Sequence, residues 1–217
     1  MPLETIILSI PAILLALTIH EFAHGWSALK CGDRTASDAG RLTLNPIAHL
    51  DPLGTLCMIG TCFHLIPFGW AKPVPINPAN FLKPKRDIML VSLAGPVSNI
   101  LLALLTGGIL RLMDIFMHSS INPQFHGFCI QLISINLGLS FFNLIPVPPL
   151  DGSKVLIGLL PNKALPSYFK NSNYFAIIFI GLLLIEWVAN IPTISFVLGP
   201  VWNLYINFWY SIMSLGA

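Results

Sequence analysis

The chain has 217 residues, of which 55% are hydrophobic and only 9% charged, with a formal net charge of +2. Soluble domains carry about 25% charged residues, so a water-soluble fold of this length could not hide so much apolar surface, and lipid must be part of its solvent. No basic cluster interleaves with aromatic residues, which excludes a nucleic-acid surface.

The first apolar run begins at Leu3, and between Glu4 and Lys30 its single charged residue is Glu21, inside His20-Glu21-Phe22-Ala23-His24. Residues four apart on a helix share a face, so His20 and His24 can present two imidazoles to one tetrahedral metal. Glu21 stands one residue round, where a carboxylate reaches a metal-bound water without ligating the metal itself, the general-base position of a metalloprotease. Burying these three groups in lipid without partners costs several kcal/mol, and ionisable groups inside a membrane are functional by default. The N-terminus lacks a basic stretch and a small-residue cleavage site, so the first helix is expected to be retained.

Further spans are expected near 88–113, 128–149, 174–190 and 193–215, which with 5–28 makes five, each close to the ~20 residues that cross hydrocarbon. The segment 53–68 is different: it follows Asp51-Pro52, contains Gly54 and Gly60 and ends at Pro67, which fits a re-entrant or strand-like element as well as a helix. The eleven Lys and Arg residues, at 30, 34, 41, 72, 83, 85, 86, 111, 154, 163 and 170, discriminate. If 53–68 dips in and returns, ten of the eleven, all but Arg111, fall on one side; if it spans, they split seven to four. The positive-inside rule therefore favours re-entry, with an outside N-terminus and a cytoplasmic C-terminus.

A catalytic zinc wants three protein ligands and an open position. Asp151 is the best candidate for the third, because Pro146, Pro148 and Pro149 end the preceding apolar helix and leave a carboxylate exposed inside a protein-lined cavity. In the re-entrant topology His20, His24 and Asp151 all lie towards the cytoplasmic end.

Three stretches, His20-Glu21-Phe22-Ala23-His24-Gly25, Ala94-Gly95-Pro96-Val97-Ser98-Asn99 and Asn143-x-x-Pro146-x-x-x-Leu150-Asp151-Gly152, resemble in type and order the motifs of the site-2 protease family of intramembrane zinc metalloproteases. The resemblance covers roughly residues 18–155 and implies an all-α polytopic membrane protein with a three-helix catalytic core. It further implies one zinc ion per chain held by His20, His24 and Asp151, Glu21 as the activator of water, and Asn143 polarising the scissile carbonyl or holding the substrate strand. Residues 69–75 look like the connection between the first two core helices in short members, where sheet edges could pair with an unwound substrate. No segment is long or polar enough for a PDZ insertion. A single membrane-embedded peptidase domain over 1–217 is expected, with the core at about 1–155 and accessory helices at about 174–215 that pack on it or gate lateral entry.

The remaining polar residues receive plainer readings. His49 reads as a hydrogen-bonded turn residue, His64 as a satisfied structural histidine, Glu186 as an interfacial acid, and Asn99 and Asn136 as amides bridging helices. Gly95, Gly107 and Gly108 suit close helix contact. Cys31, Cys57, Cys62 and Cys129 form neither C-x-x-C nor zinc-finger spacing and read as thiols of a reducing compartment or as lipid-buried small apolar residues. The expected partners are transmembrane protein substrates and the lipid bilayer, in a prokaryotic plasma membrane with the active site towards the cytoplasm. A zinc transporter would spread polar residues along several helices, whereas these ligands concentrate in two segments; a non-catalytic membrane scaffold would have no need of all four of His20, Glu21, His24 and Asp151.

Overall fold

A computed structural model describes residues 3–63, 65–66, 69–117 and 122–213. The helices are α1 (Leu3–Lys30), α2 (Thr35–Asp38), α3 (Pro52–Cys62), α4 (Pro84–Met117), α5 (Pro123–Asn143), α6 (Asp151–Leu159), α7 (Leu165–Ala189) and α8 (Ile194–Met213), and the described residues contain no strand. Four of them, α1, α4, α5 and α7, are long and apolar enough to cross a membrane. The chain is an all-α polytopic membrane protein.

Over the fifth expected span, α8 has the length, 20 residues, but falls outside this apolar group. Trp202, Asn203, Tyr205, Asn207, Trp209 and Tyr210 lower its hydropathy. Two of them are tied to α5: the Tyr205 hydroxyl lies 2.6 Å from Ser140 Oγ and the Tyr210 hydroxyl 3.0 Å from Ser134 Oγ.

The helix ends follow local chemistry. Gly32, at φ 103°, ends α1: its N–H donates to the Leu29 carbonyl and that of Asp33 to the Ala28 carbonyl, a Schellman closure that only glycine enters without strain. Asn122 caps α5 through the N–H groups of Gln124 and Phe125, with Pro123 in the first helical position, so this helix starts earlier than expected. It stops at Asn143 rather than 149, because Pro146, Pro148 and Pro149 cannot continue it. Glu186 does not simply face the interface: its Oε2 accepts from the N–H groups of Ile194 and Ser195 at 2.8 and 3.0 Å and so caps α8.

At the centre stands α4, packed against α1, α5 and α6. Its Ala103 and Leu110 join Cys129, Ile133 and Leu137 of α5 and Met213 of α8 in one buried cluster. The expected three-helix core is therefore α1, α4 and α5. Peripheral to it, α7 keeps only 6% of its apolar window buried.

The described residues between 53 and 66 form neither a span nor a strand. At 11 residues α3 is about 16 Å long, half of a hydrocarbon core. The chain then returns against it: a Cβ on Gly54 would lie 2.1 Å from the Trp70 carbonyl oxygen, and one on Gly69 would lie 2.4 Å from the Met58 nitrogen. Lys72 N–H donates to the His49 carbonyl at 2.9 Å, so the segment leaves and re-emerges at one level. This is the geometry of entry and return, with a half-helix inward and irregular chain leading back out from Gly69. His64 and Pro67 lie outside the described residues.

Buried Asp33 fastens the end of α1 to the connection leading into α4. Its carboxylate accepts from Thr35 N–H and Oγ1–H, from Asn77 N–H at 2.7 Å and from Asn80 Nδ2 at 2.8 Å. Burial pushes this carboxyl up, but the hydrogen bonds outweigh it and hold it below the usual carboxylate range. Asp33→Ala strands those donors, at roughly 1–3 kcal/mol for each one left without water. A lowered thermal midpoint in detergent at pH 7 is expected. Because the folded pKa is depressed, the difference from wild type is full above the unfolded value and closes as pH falls through the folded one.

Candidate metal centre

His20 and His24 are one turn apart on the buried face of α1, and Asp151 is the first residue of α6. The loop from Leu144 to Leu150 doubles back from the end of α5, and Gly152 makes the approach possible, since a Cβ there would lie 2.3 Å from the Leu144 carbonyl oxygen. The three donor atoms form a nearly equilateral triangle: His20 Nε2 to His24 Nε2 is 3.0 Å, His24 Nε2 to Asp151 Oδ2 is 3.1 Å, and His20 Nε2 to Asp151 Oδ2 is 3.2 Å. The donor–donor edge of a tetrahedral zinc site with bonds of about 2.0–2.1 Å is about 3.3 Å.

The hydrogen bonds behind the ligands decide what they can hold. His24 Nδ1–H donates to the Val91 carbonyl at 2.7 Å, and His20 Nδ1–H donates to Asn99 Oδ1 at 2.6 Å. Carbonyl oxygens accept only, so each imidazole carries its proton on Nδ1, and in the neutral form that a metal requires its Nε2 lone pair is bare. Two such lone pairs and a carboxylate oxygen, all buried within 3.2 Å, repel one another unless a cation stands among them. The donor set, two imidazoles and one carboxylate, suits zinc. Asp151 uses one oxygen here, while its Oδ1 lies 3.8 Å from the Lys154 ammonium.

Room for the two rings comes from α4. A Cβ on Gly95 would lie 2.4 Å from His24 Nε2 and 2.6 Å from His20 Cε1. Val91, Gly95 and Asn99 are successive turns of one face of α4, and all three meet the histidines.

Glu21 faces the same cavity, of about 720 Å³, without joining the triangle. Its Oε2 accepts from Val74 N–H at 2.8 Å, so the returning segment 69–77 holds the carboxylate in place and leaves Oε1 without a hydrogen-bond partner among the described residues. That segment has no regular secondary structure and pairs with no strand among the described residues. Asn143, the last residue of α5, also lines the cavity. Its Nδ2 donates one bond to the Leu139 carbonyl at 3.0 Å, leaving its second N–H and its Oδ1 without a hydrogen-bond partner among the described residues. The remaining walls are largely apolar, with Trp70, Phe81, Phe142, Phe169 and Phe179 set among aliphatic and proline side chains.

The five expected site residues thus meet around one cavity. Sequence reading passed over Lys154, and it gave Gly95 and Asn99 only structural roles. The signal was available, because the four-residue spacing of Gly95 and Asn99 within one quoted motif puts both on one helix face. Gly107 does meet a neighbour, the Met213 side chain, whereas a Cβ on Gly108 would have nothing within 4 Å among the described residues. His49 is a buried turn residue as expected, with Nε2 2.8 Å from the Thr43 carbonyl. Cys31, Cys57 and Cys129 are free thiols.

Comparison with known proteins agrees with this geometry. YwhC of Bacillus subtilis (strain 168) is 38% identical over 205 residues, covering 93% of this chain and 89% of YwhC. The chain belongs to peptidase family M50, the site-2 proteases. The family model, Peptidase family M50, matches residues 106–184, which include Asn143 and Asp151. Rip2 of Mycolicibacterium smegmatis is 32% identical over 67% of this chain and 54% of Rip2, and Rip2 of Mycobacterium tuberculosis (strain ATCC 35801 / TMC 107 / Erdman) is 28% identical over 90% and 78%. YwhC and Rip2 share the printed name "Putative zinc metalloprotease". No solved structure gives a significant match. This M50 member is accordingly a zinc metalloprotease of the membrane.

Proposed function

We propose that the chain is an intramembrane endopeptidase that hydrolyses peptide bonds of transmembrane proteins, with one zinc ion per chain held by His20, His24 and Asp151. The observation that carries this reading is that two of the three converging donors, His20 and His24, are buried on α1, inside a membrane-crossing helix of mean hydropathy 2.0, with Asp151 brought to them from the start of α6. A protease built at that depth serves substrates that are themselves in the membrane.

Zinc, when bound, supplies a Lewis acid and lowers the pKa of the attacking water. Glu21 takes the proton from that water through the oxygen that Val74 leaves free, and returns it to the leaving amine. The free N–H of Asn143 polarises the scissile carbonyl or holds the substrate strand. A transmembrane substrate enters as a helix whose amides are bonded internally, so it must unwind locally before a carbonyl can be attacked. The apolar walls replace lipid around the unwound stretch. Residues poor in helix propensity near the cut should speed cleavage.

The distribution of Lys and Arg supports a site facing the cytoplasmic side of a prokaryotic plasma membrane, with the bilayer itself as partner. Elemental analysis of the purified protein is expected to give one zinc per chain. Stripping it with a chelator should abolish cleavage of a transmembrane reporter in liposomes, and zinc should restore it. Zinc flux without cleavage would point to a transporter, and neither flux nor cleavage to a scaffold.

A further inference from the structure

The metal ligand His20 lies at the end of a chain of hydrogen bonds that begins well away from the cavity. Asn136, on α5, is fully buried, and its Nδ2 donates to the Leu132 carbonyl at 2.8 Å. A carbonyl can only accept, so Asn136 must turn its own oxygen the other way. That Oδ1 accepts from Asn99 Nδ2 at 2.7 Å, and the same Nδ2 donates to the Ala16 carbonyl at 3.1 Å. With both N–H groups committed, Asn99 presents its Oδ1 to His20 Nδ1 at 2.6 Å.

We propose that Asn136 is a positioning residue for the metal centre: by orienting the Asn99 carboxamide it selects the tautomer of His20 whose bare Nε2 faces the metal. This rests on the reading that His20, His24 and Asp151 hold zinc. A flipped Asn99 would set oxygen against oxygen at both Asn136 and Ala16. It would also offer an N–H to His20 Nδ1, moving the imidazole proton to Nε2, where it blocks coordination. Helix bridging alone needs only some hydrogen bond between α4 and α5; the tautomer needs this one in this direction. Because the Ala16 carbonyl opposes the flip too, removing Asn136 weakens the metal site without destroying it.

The test is a double-mutant cycle read as zinc affinity, by competition with a chromophoric chelator in detergent. Asn136→Leu should weaken zinc binding about 10-fold, the low end for groups that orient a ligating histidine. In an Asn99→Leu background the same change should cost no more than about 2-fold, because the residue it acts through is gone. Asn136→Asp, neutral when buried, keeps an acceptor for Asn99 and a donor for Leu132 and should bind within about 3-fold of wild type. Unchanged affinity in Asn136→Leu, or equal losses in both backgrounds, would overturn the proposal, since general loosening of helix packing acts independently of Asn99. If Asn136→Leu does not fold, Asn136→Ala removes the same acceptor and takes its place in the cycle. Failure of the wild type to bind zinc, or undiminished binding by His24→Ala, would instead refute the ligand assignment beneath it.

Discussion

Glu21→Gln is expected to bind zinc as wild type does and to lose at least about 10²-fold, and up to about 10⁴-fold, in kcat, the range for removal of a general base. Glutamine has the shape of glutamate, and its carbonyl oxygen can still accept from Val74 N–H, so the segment 69–77 keeps its anchor. None of the three donor atoms is touched. What disappears is a group able to take a proton from water. Zinc content and reporter cleavage, measured on the same preparation, check both halves. Retained cleavage would remove Glu21 from its role, whereas loss of zinc together with cleavage would make it a structural support of the site.

An equally large loss, by another route, is expected from Gly95→Ala. The added methyl would stand 2.4 Å from His24 Nε2 and 2.7 Å from His20 Nε2, inside the space through which both imidazoles reach the metal. Neither α4, pinned between α1, α5 and α6, nor the two rings, fixed by Val91 and Asn99, can yield cheaply. Zinc affinity should fall by at least about 100-fold, beyond the range seen for loss of a single orienting group, and cleavage should fall with it while helical content stays. Gly108→Ala, on the same helix with open space around it, is the matched control and should be neutral or slightly stabilising, since alanine favours helix by about 0.5–1 kcal/mol. Zinc loss in both variants would trace the effect to α4 as a whole rather than to the gap at Gly95.

The contrast between these two glycines bears on what a sequence can convey. Gly95 and Gly108 look alike on paper, each a small residue in an apolar helix, and both were expected at close helix contacts. One is a metal-site residue and the other faces open space, because helix register against neighbours, not residue type, sets what a missing Cβ makes room for. Asn99 has the same history: an amide that bridges helices was legible, the histidine nitrogen at its end was not. Lys154 gave no signal because a lysine three residues after an aspartate is ordinary until the aspartate is turned inward. The expected span at 128–149 ran six residues too far since hydropathy passes through Leu144, Ile145 and Val147, although the prolines beside them stop the helix.

The sequence by itself determined the solvent, the chemistry and the order of the parts. Apolar composition requires lipid; helical spacing makes one face of His20 and His24 and sets Glu21 beside it; the prolines before Asp151 free a carboxylate where a helix ends. These are local consequences of covalent order, so they can be read locally. The charge count already favoured return over crossing for the segment after Asp51, but only tertiary structure shows what holds the return, Gly54 against Trp70 and Lys72 against His49. Tertiary structure alone also decided which lone pair each histidine offers, because a tautomer is chosen by the partner on the far nitrogen, and those partners, the Val91 carbonyl and Asn99 Oδ1, come from a helix about 70 residues further along the chain.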